Sequence, residues 1–122
     1  MCIFCEKIDK ERILFETANW IAFYDSYPVS KGHVLLVPKE HFETYFDLPD
    51  SYKESINFRL KDIKAILDAK YHPDGYNIGF NCGEASGQSV MHFHMHIIPR
   101  YKGDIENPRG GIRGCIPSKM KY

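Results

Sequence analysis

Three of the chain's six histidines stand at alternate positions, in His92-Phe93-His94-Met95-His96. Successive side chains of a β-strand point to opposite faces. This spacing therefore sets three imidazoles in a row on one face and turns Phe93, Met95 and Ile97 toward a core. A neutral imidazole has a reference pKa near 6.5, so it is available as a nucleophile at neutral pH. A histidine that attacks phosphorus forms a covalent intermediate and divides one hard displacement into two easier ones. Such a nucleophile needs its other ring nitrogen fixed by an acceptor, and needs N–H or cationic donors around the phosphoryl oxygens. Three imidazoles can also form a catalytic zinc site. Along one strand, however, their attachment points spread over roughly 13 Å, a poor cage for one tetrahedral ion, though neighbouring pairs could share one.

Two further features carry chemistry. The small, polar segment Cys82-Gly83-Glu84-Ala85-Ser86-Gly87-Gln88-Ser89 leads into the histidines. It can present backbone N–H groups to an anion, with Gln88 and Ser89 as side-chain donors, although a plain turn has the same composition. Cys2 and Cys5 form a C-x-x-C pair, while Cys82 and Cys115 stand alone. In a reducing compartment such a pair points to metal or redox chemistry before a disulfide.

These residues need a frame. Ile13 to Phe15 and Trp20 to Tyr24 read as strands, separated by a turn at Asn19. His33 to Val37 is a third strand, closed by Pro38. From Ser51 to about Lys70, Tyr52, Ile56, Leu60, Ile63 and Leu67 recur at helical spacing, with Pro49 expected in the first turn. His72-Pro73-Asp74-Gly75 stops the helix. Two strands follow, Tyr76 to Asn81 and Val90 to Ile98, and then a tail rich in Gly, Pro and basic residues. Short links and the lack of alternating βαβ units predict an α+β fold, with an antiparallel sheet and the helix packed on one face.

A length of 122 residues fits one domain, here 1–122 with 101–122 as a C-terminal tail. Formal charge balances at zero, which argues against nucleic acid or an anionic membrane as partner. No apolar run is long enough to span a bilayer, and the first residues lack the apolar stretch of a signal peptide. A cytoplasmic protein with reduced thiols is expected.

Gly87-Gln88-Ser89-Val90-Met91-His92-Phe93-His94-Met95-His96-Ile97-Ile98-Pro99-Arg100 resembles the signature of the histidine-triad superfamily. Phe23-Tyr24-Asp25, Pro28 to His33, and Val37-Pro38-Lys39-Glu40-His41 resemble its upstream segments. The resemblance runs from Cys2 to about Asp104. It implies a five-stranded antiparallel sheet with one long helix, in homodimers that join two sheets edge to edge. It implies that His94 becomes nucleotidylated, and that His96 and His33 contact the phosphate and tune the site. By the same likeness Asn81 contacts phosphate or leaving group, and Gln88 and Ser89 are loop donors. Asp25 holds ribose hydroxyls, and Phe4, Ile8 and Phe23 form the base pocket. Core packing accounts for these last three equally well.

Within the superfamily the chain is most similar to small bacterial and archaeal proteins often called diadenosine tetraphosphate hydrolases. The loop from Asn81 to Gln88 and the ending Ile98-Pro99-Arg100-Tyr101 resemble both these proteins and the fragile-histidine-triad branch. The usual tail of the phosphoramidase branch is absent. Several relatives bind a structural zinc, which by resemblance assigns Cys2, Cys5, His41 and His92 as ligands. Two thiolates and two imidazoles make a closed tetrahedral set. The expected function is hydrolysis of dinucleoside polyphosphates or related adenine nucleotides at the α-phosphate, through His94. The alternatives are a purine nucleoside phosphoramidase, a nucleotide sensor with little turnover, and a zinc-dependent scaffold. Arg109 and Arg113 of the tail either reach a polyphosphate or belong to a solvated dimer arm.

Overall fold

The computed structural model describes residues 2–6 and 8–122. Five strands, β1 (Ile13–Glu16), β2 (Trp20–Tyr24), β3 (Val34–Pro38), β4 (Gly75–Gly79) and β5 (Met95–Arg100), form one antiparallel sheet in the order β1-β2-β3-β5-β4. One helix, α1 (Asp50–Tyr71), joins β3 to β4. This is the expected α+β frame. Among the described residues, no helix is long and apolar enough to cross a membrane.

Period-two alternation sorts the strands into two faces. Trp20, Ala22, Val34, Leu36, Met95 and Ile97 meet Ile56, Ile63 and Leu67 of α1 in the main core. Fully burying one such aliphatic side chain contributes about 1.5–3 kcal/mol. Ile21, Phe23, Leu35 and Val37 point the other way, where among the described residues no helix covers them and Phe4, Ile8 and Ile13 are the hydrophobic side chains that pack on them. That open face is where a ligand can enter. Trp20 reaches the helix side with its one polar atom satisfied, since Nε1–H donates to Ser55 Oγ at 2.7 Å.

The helix begins one residue before the expected start and ends one after it. Pro49 is the N-cap and not part of the first turn; its carbonyl accepts from the N–H groups of Tyr52 (3.0 Å) and Lys53 (3.1 Å). At the other end His72 takes the left-handed conformation, φ 52°, which stops the helix before Pro73. Gly32 makes the turn into β3 at φ +89°, and a Cβ there would come within 2.9 Å of the Tyr71 ring.

The last strand differs most from expectation. It starts at Met95, not Val90, so His92 and His94 precede it. The β3–β5 ladder pairs Val34 with Ile97, Leu35 with His96 and Leu36 with Met95. Continued further, it would set Pro38, which has no N–H, against Phe93. The Phe93 N–H instead donates to the Phe42 carbonyl at 2.6 Å. The sidedness survives, because Phe93, Met95 and Ile97 are all buried in the helix-side core. β4 likewise ends at Gly79 rather than Asn81, and Phe80 leaves the sheet to stack on Tyr45 at 4.9 Å.

Candidate active site

A cleft of about 610 Å³ opens on the uncovered face of the sheet. Phe4, Ile8, Phe23, Asp25, Asn81, Ser89, His94 and His96 all line it, drawn from five separate stretches of chain. Its apolar half is built on Phe23 of β2, with the Phe4 ring 5.8 Å away. Its polar half holds His94 and His96, whose ring centroids lie 5.3 Å apart. Phe4 reaches toward both halves, 5.1 Å from the His94 ring.

The hydrogen-bond network assigns a tautomer to each imidazole. His94 Nδ1–H donates to the His92 carbonyl at 2.9 Å, which leaves the Nε2 lone pair free toward the cleft. The Val29 N–H donates to His33 Nδ1 at 3.1 Å, so His33 carries its proton on Nε2. That Nε2–H donates to His96 Nδ1 at 2.9 Å. His96 therefore keeps its own proton on Nε2. The cleft meets a nucleophilic nitrogen at His94 and an N–H donor at His96.

Burial keeps this relay neutral. It pulls the His96 pKa down to about 4, helped by the nearby charges of His94 and His33 and opposed by Asp25. Burial likewise lowers His33, against the pull of Asp25, whose Oδ2 lies 3.5 Å from His33 Nε2.

Two expected site residues sit elsewhere. His33 does not line the cleft; it is buried behind His96 and meets the site through that ring. Gln88 is 2% exposed and does not face the cleft. Its Oε1 accepts from the Gly83 N–H at 2.8 Å, and its Nε2 donates to the Glu43 and Val90 carbonyls at 2.7 and 3.1 Å. With both ends engaged inside the protein, Gln88 braces the loop and has no donor left for a phosphate. Gly87, Ser89 and Val90 are the loop residues that reach the cleft.

Arg12 and Tyr27 line the cleft without having been singled out in the sequence. Arg12 lies over the Phe23 ring at 5.3 Å, and its Nε–H donates to the Tyr24 carbonyl at 3.1 Å. Neither residue belongs to a spaced motif. Only the strand pairing brings them here. The tail arginines are elsewhere, with Arg109 and Arg113 over the Tyr122 ring at 4.9 and 4.7 Å.

A second cluster adjoins the cleft behind Phe4. Ligand atoms of Cys2, Cys5, His41 and His92 all lie within 4.8 Å of one another. His92 is fully buried, and its Nε2–H donates to the Pro38 carbonyl at 2.8 Å, so the Nδ1 lone pair faces the cluster. Cys2 and Cys5 Sγ each stand 3.4 Å from that nitrogen, and His41 Nδ1 stands 3.0 Å from it. Two thiols and two imidazoles converging on one point fit a closed zinc site, and a backbone carbonyl fixing the second nitrogen of a ligand histidine is the usual supporting contact.

Residues 6–103 match the HIT domain family. The chain is 45% identical over 111 residues to an uncharacterized HIT-like protein of Methanocaldococcus jannaschii, covering 87% of this chain and 84% of that protein. It is 44% identical over 103 residues to an adenosine 5'-monophosphoramidase of Schizosaccharomyces pombe, covering 81% and 74%. A solved structure of a Zn-bound histidine triad family protein from Mycobacterium smegmatis is similar to it with a TM-score of 0.75 at 30% identity, covering 84% of this chain and 77% of that one. Family match, sequence identity and fold agree, and the chain belongs to the HIT domain family.

Proposed function

We propose that the protein hydrolyses a nucleoside 5'-phosphoryl substrate through a nucleotidylated His94. The carrying observation is the pair of opposite tautomers at the cleft, a free Nε2 lone pair on His94 beside an Nε2–H donor on His96. His94 Nε2 attacks phosphorus, and the bond to the leaving group breaks with its electron pair. The leaving group departs protonated, taking a proton from water in the open cleft as its bond to phosphorus breaks. His94 is then an N-phosphorylated imidazolium, and its Nδ1–H bond to the His92 carbonyl stabilises that charge. His96 Nε2–H meets a phosphoryl oxygen. Water then displaces His94 and releases the nucleoside monophosphate. An adenine ring suits the apolar half formed by Phe4, Ile8 and Phe23, and Asp25 is the acceptor for ribose hydroxyls.

Charge ranks the leaving groups. Arg12 is the only lysine or arginine among the described residues that line the cleft, and it is engaged with Phe23 and Tyr24. A polyphosphate leaving group therefore finds little cationic support, whereas an amine needs none. This favours adenosine 5'-phosphoramidates, in line with the activity named for the S. pombe relative. Dinucleoside polyphosphates are the second reading, favoured by the exposed Tyr27 ring at the rim, on which a second base can stack. Rates on a panel of both substrate classes test the ranking. If neither class is turned over, the proposal fails.

Cys2, Cys5, His41 and His92 would hold one zinc ion, which supplies structural cross-linking of the N-terminus and no chemistry at phosphorus. The open edge of β4, with Ile78 exposed, is where a second copy would extend the sheet into a homodimer. Sizing by light scattering tests that. A cytoplasmic location is part of the same reading.

A further inference from the structure

Asp25 stands between two tasks. Its Oδ1 accepts from the Tyr27 N–H at 2.9 Å, and it lines the cleft. Its Oδ2 lies 3.5 Å from His33 Nε2, the same nitrogen that stands 2.9 Å from His96 Nδ1. That N–H thus has one hydrogen-bond acceptor, His96, and a carboxylate oxygen close enough to compete for it. His33 cannot offer a second proton, because its Nδ1 already accepts from the Val29 N–H. A carboxylate is the stronger acceptor of the two, since charge-assisted bonds exceed neutral ones. Distance favours His96 and charge favours Asp25.

We infer that the sugar of the substrate settles this competition: hydroxyls bound at Asp25 release the His33 N–H wholly to His96, and so hold His96 with its donor toward the phosphate. The inference rests on the proposed nucleotidyl chemistry and adds to it a specificity device. A vicinal diol donates two hydrogen bonds to a carboxylate and satisfies its charge locally. The His33 N–H then has one acceptor left. No proton changes its owner; the pull of the neighbouring carboxylate on the His33–His96 hydrogen bond is removed. With Asp25 unsatisfied, the N–H is drawn toward the carboxylate. His96 Nδ1 then loses its donor, and His96 is free to place its proton on Nδ1, where it no longer serves the phosphate. His33 is a positioning residue, acting on substrate only through His96. The groups facing His96 are His33, His94 and Asp25.

The expected signature is a sugar effect on the chemical step and not only on binding. Single-turnover rates at saturating substrate remove binding and product release from the comparison. The wild type should nucleotidylate from adenosine 5'-phosphoramidate about tenfold faster than from its 2',3'-dideoxy analogue, a modest part of what a placed proton donor contributes. In His33→Ala both rates fall and become equal, leaving only a difference in KM. In Asp25→Asn the rates also become equal, since a neutral amide competes weakly for the N–H. A merely structural role for His33 would lower both rates and keep their ratio. Equal saturating rates in the wild type overturn the inference, as does a tenfold ratio that persists in both variants.

A second measurement needs neither variants nor turnover. Nitrogen NMR of histidine-labelled wild type should show His96 in a single Nε2–H tautomer with adenosine monophosphate bound. With the 2',3'-dideoxy monophosphate it should show a tautomer mixture. Identical His96 signals in the two complexes, or no binding of either ligand, would overturn the inference. Failure of the proposed function shows separately, as absence of turnover on both substrate classes while the NMR difference remains.

Discussion

His92 and His96 stand at the two ends of one triad, and their environments ask opposite things of the same side chain. At His92 the Pro38 carbonyl takes the Nε2–H, so Nδ1 offers a lone pair to two sulfurs and a second imidazole. At His96 the His33 N–H occupies Nδ1, so Nε2 offers a proton to the cleft. His94, between them, uses the His92 carbonyl to free its Nε2 lone pair. An imidazole's role is thus set by the partner of the nitrogen that does not act. An available lone pair and an N–H donor can therefore sit within four residues of each other.

The sharpest way to break the comparison is to remove the middle ring. His94→Ala should lower turnover by several orders of magnitude while nucleotide affinity changes little, because the covalent route is gone. An α-phosphate-labelled substrate should leave acid-labile label on His94 in the wild type and none in the variant. Label on His92 or His96 would reverse the assignment of roles.

Next in size is the His92 end. Metal analysis should find about one zinc per chain, and Cys5→Ser should lose it. The melting temperature should then fall by at least about 4 °C, the shift that 1 kcal/mol brings in a domain of this length. Metal-free protein of unchanged stability would remove the site. A chelator that stops turnover at once in folded protein would move the metal from frame to chemistry.

The His96 end predicts a pH effect. Its folded pKa is about 4, below the ordinary value of 6.5. Below that ordinary value the unfolded chain binds a proton that the folded chain refuses. Stability should therefore be full above pH 6.5 and decline as pH falls from 6.5 toward 4. His96→Asn should flatten part of that decline in melting scans. An unchanged slope would mean that other groups carry it.

The smallest effect is expected at Gln88. Gln88→Ala removes three internal hydrogen bonds and leaves the Glu43 and Val90 carbonyls without a partner. A loss of about 1–3 kcal/mol in stability is expected, with a modest rise in KM from a looser loop. If kcat fell by orders of magnitude with stability intact, Gln88 would belong to the chemistry after all.

Much of this architecture was legible in the chain because its period is local. Continuous short runs of apolar residues mark β2 and β3, and Ile56, Leu60, Ile63 and Leu67 mark the helix at a spacing of three and four. What could not be read is decided by residues far apart in sequence. β5 starts late because Pro38, on the neighbouring strand, has no N–H to offer. Gln88 turns inward because the Glu43 carbonyl, 45 positions away, is there to receive it. Arg12 precedes β1 in a short turn, and only the pairing of β1 with β2 carries it over Phe23. The triad's sidedness needed no such knowledge, since it holds even where the strand does not.

Phe4 is held by its neighbours. Cys2 and Cys5 flank it and anchor on His92 and His41, while its ring forms a wall of the cleft against Phe23 and His94. Cys5 is exposed. An alkylating reagent that caps this sulfur would loosen the wall from behind and weaken binding of the adenine ring in front. Pre-bound adenosine monophosphate should in turn slow the alkylation by the same coupling. A reagent that reacts only with thiols should thus be felt by a ligand that never touches one.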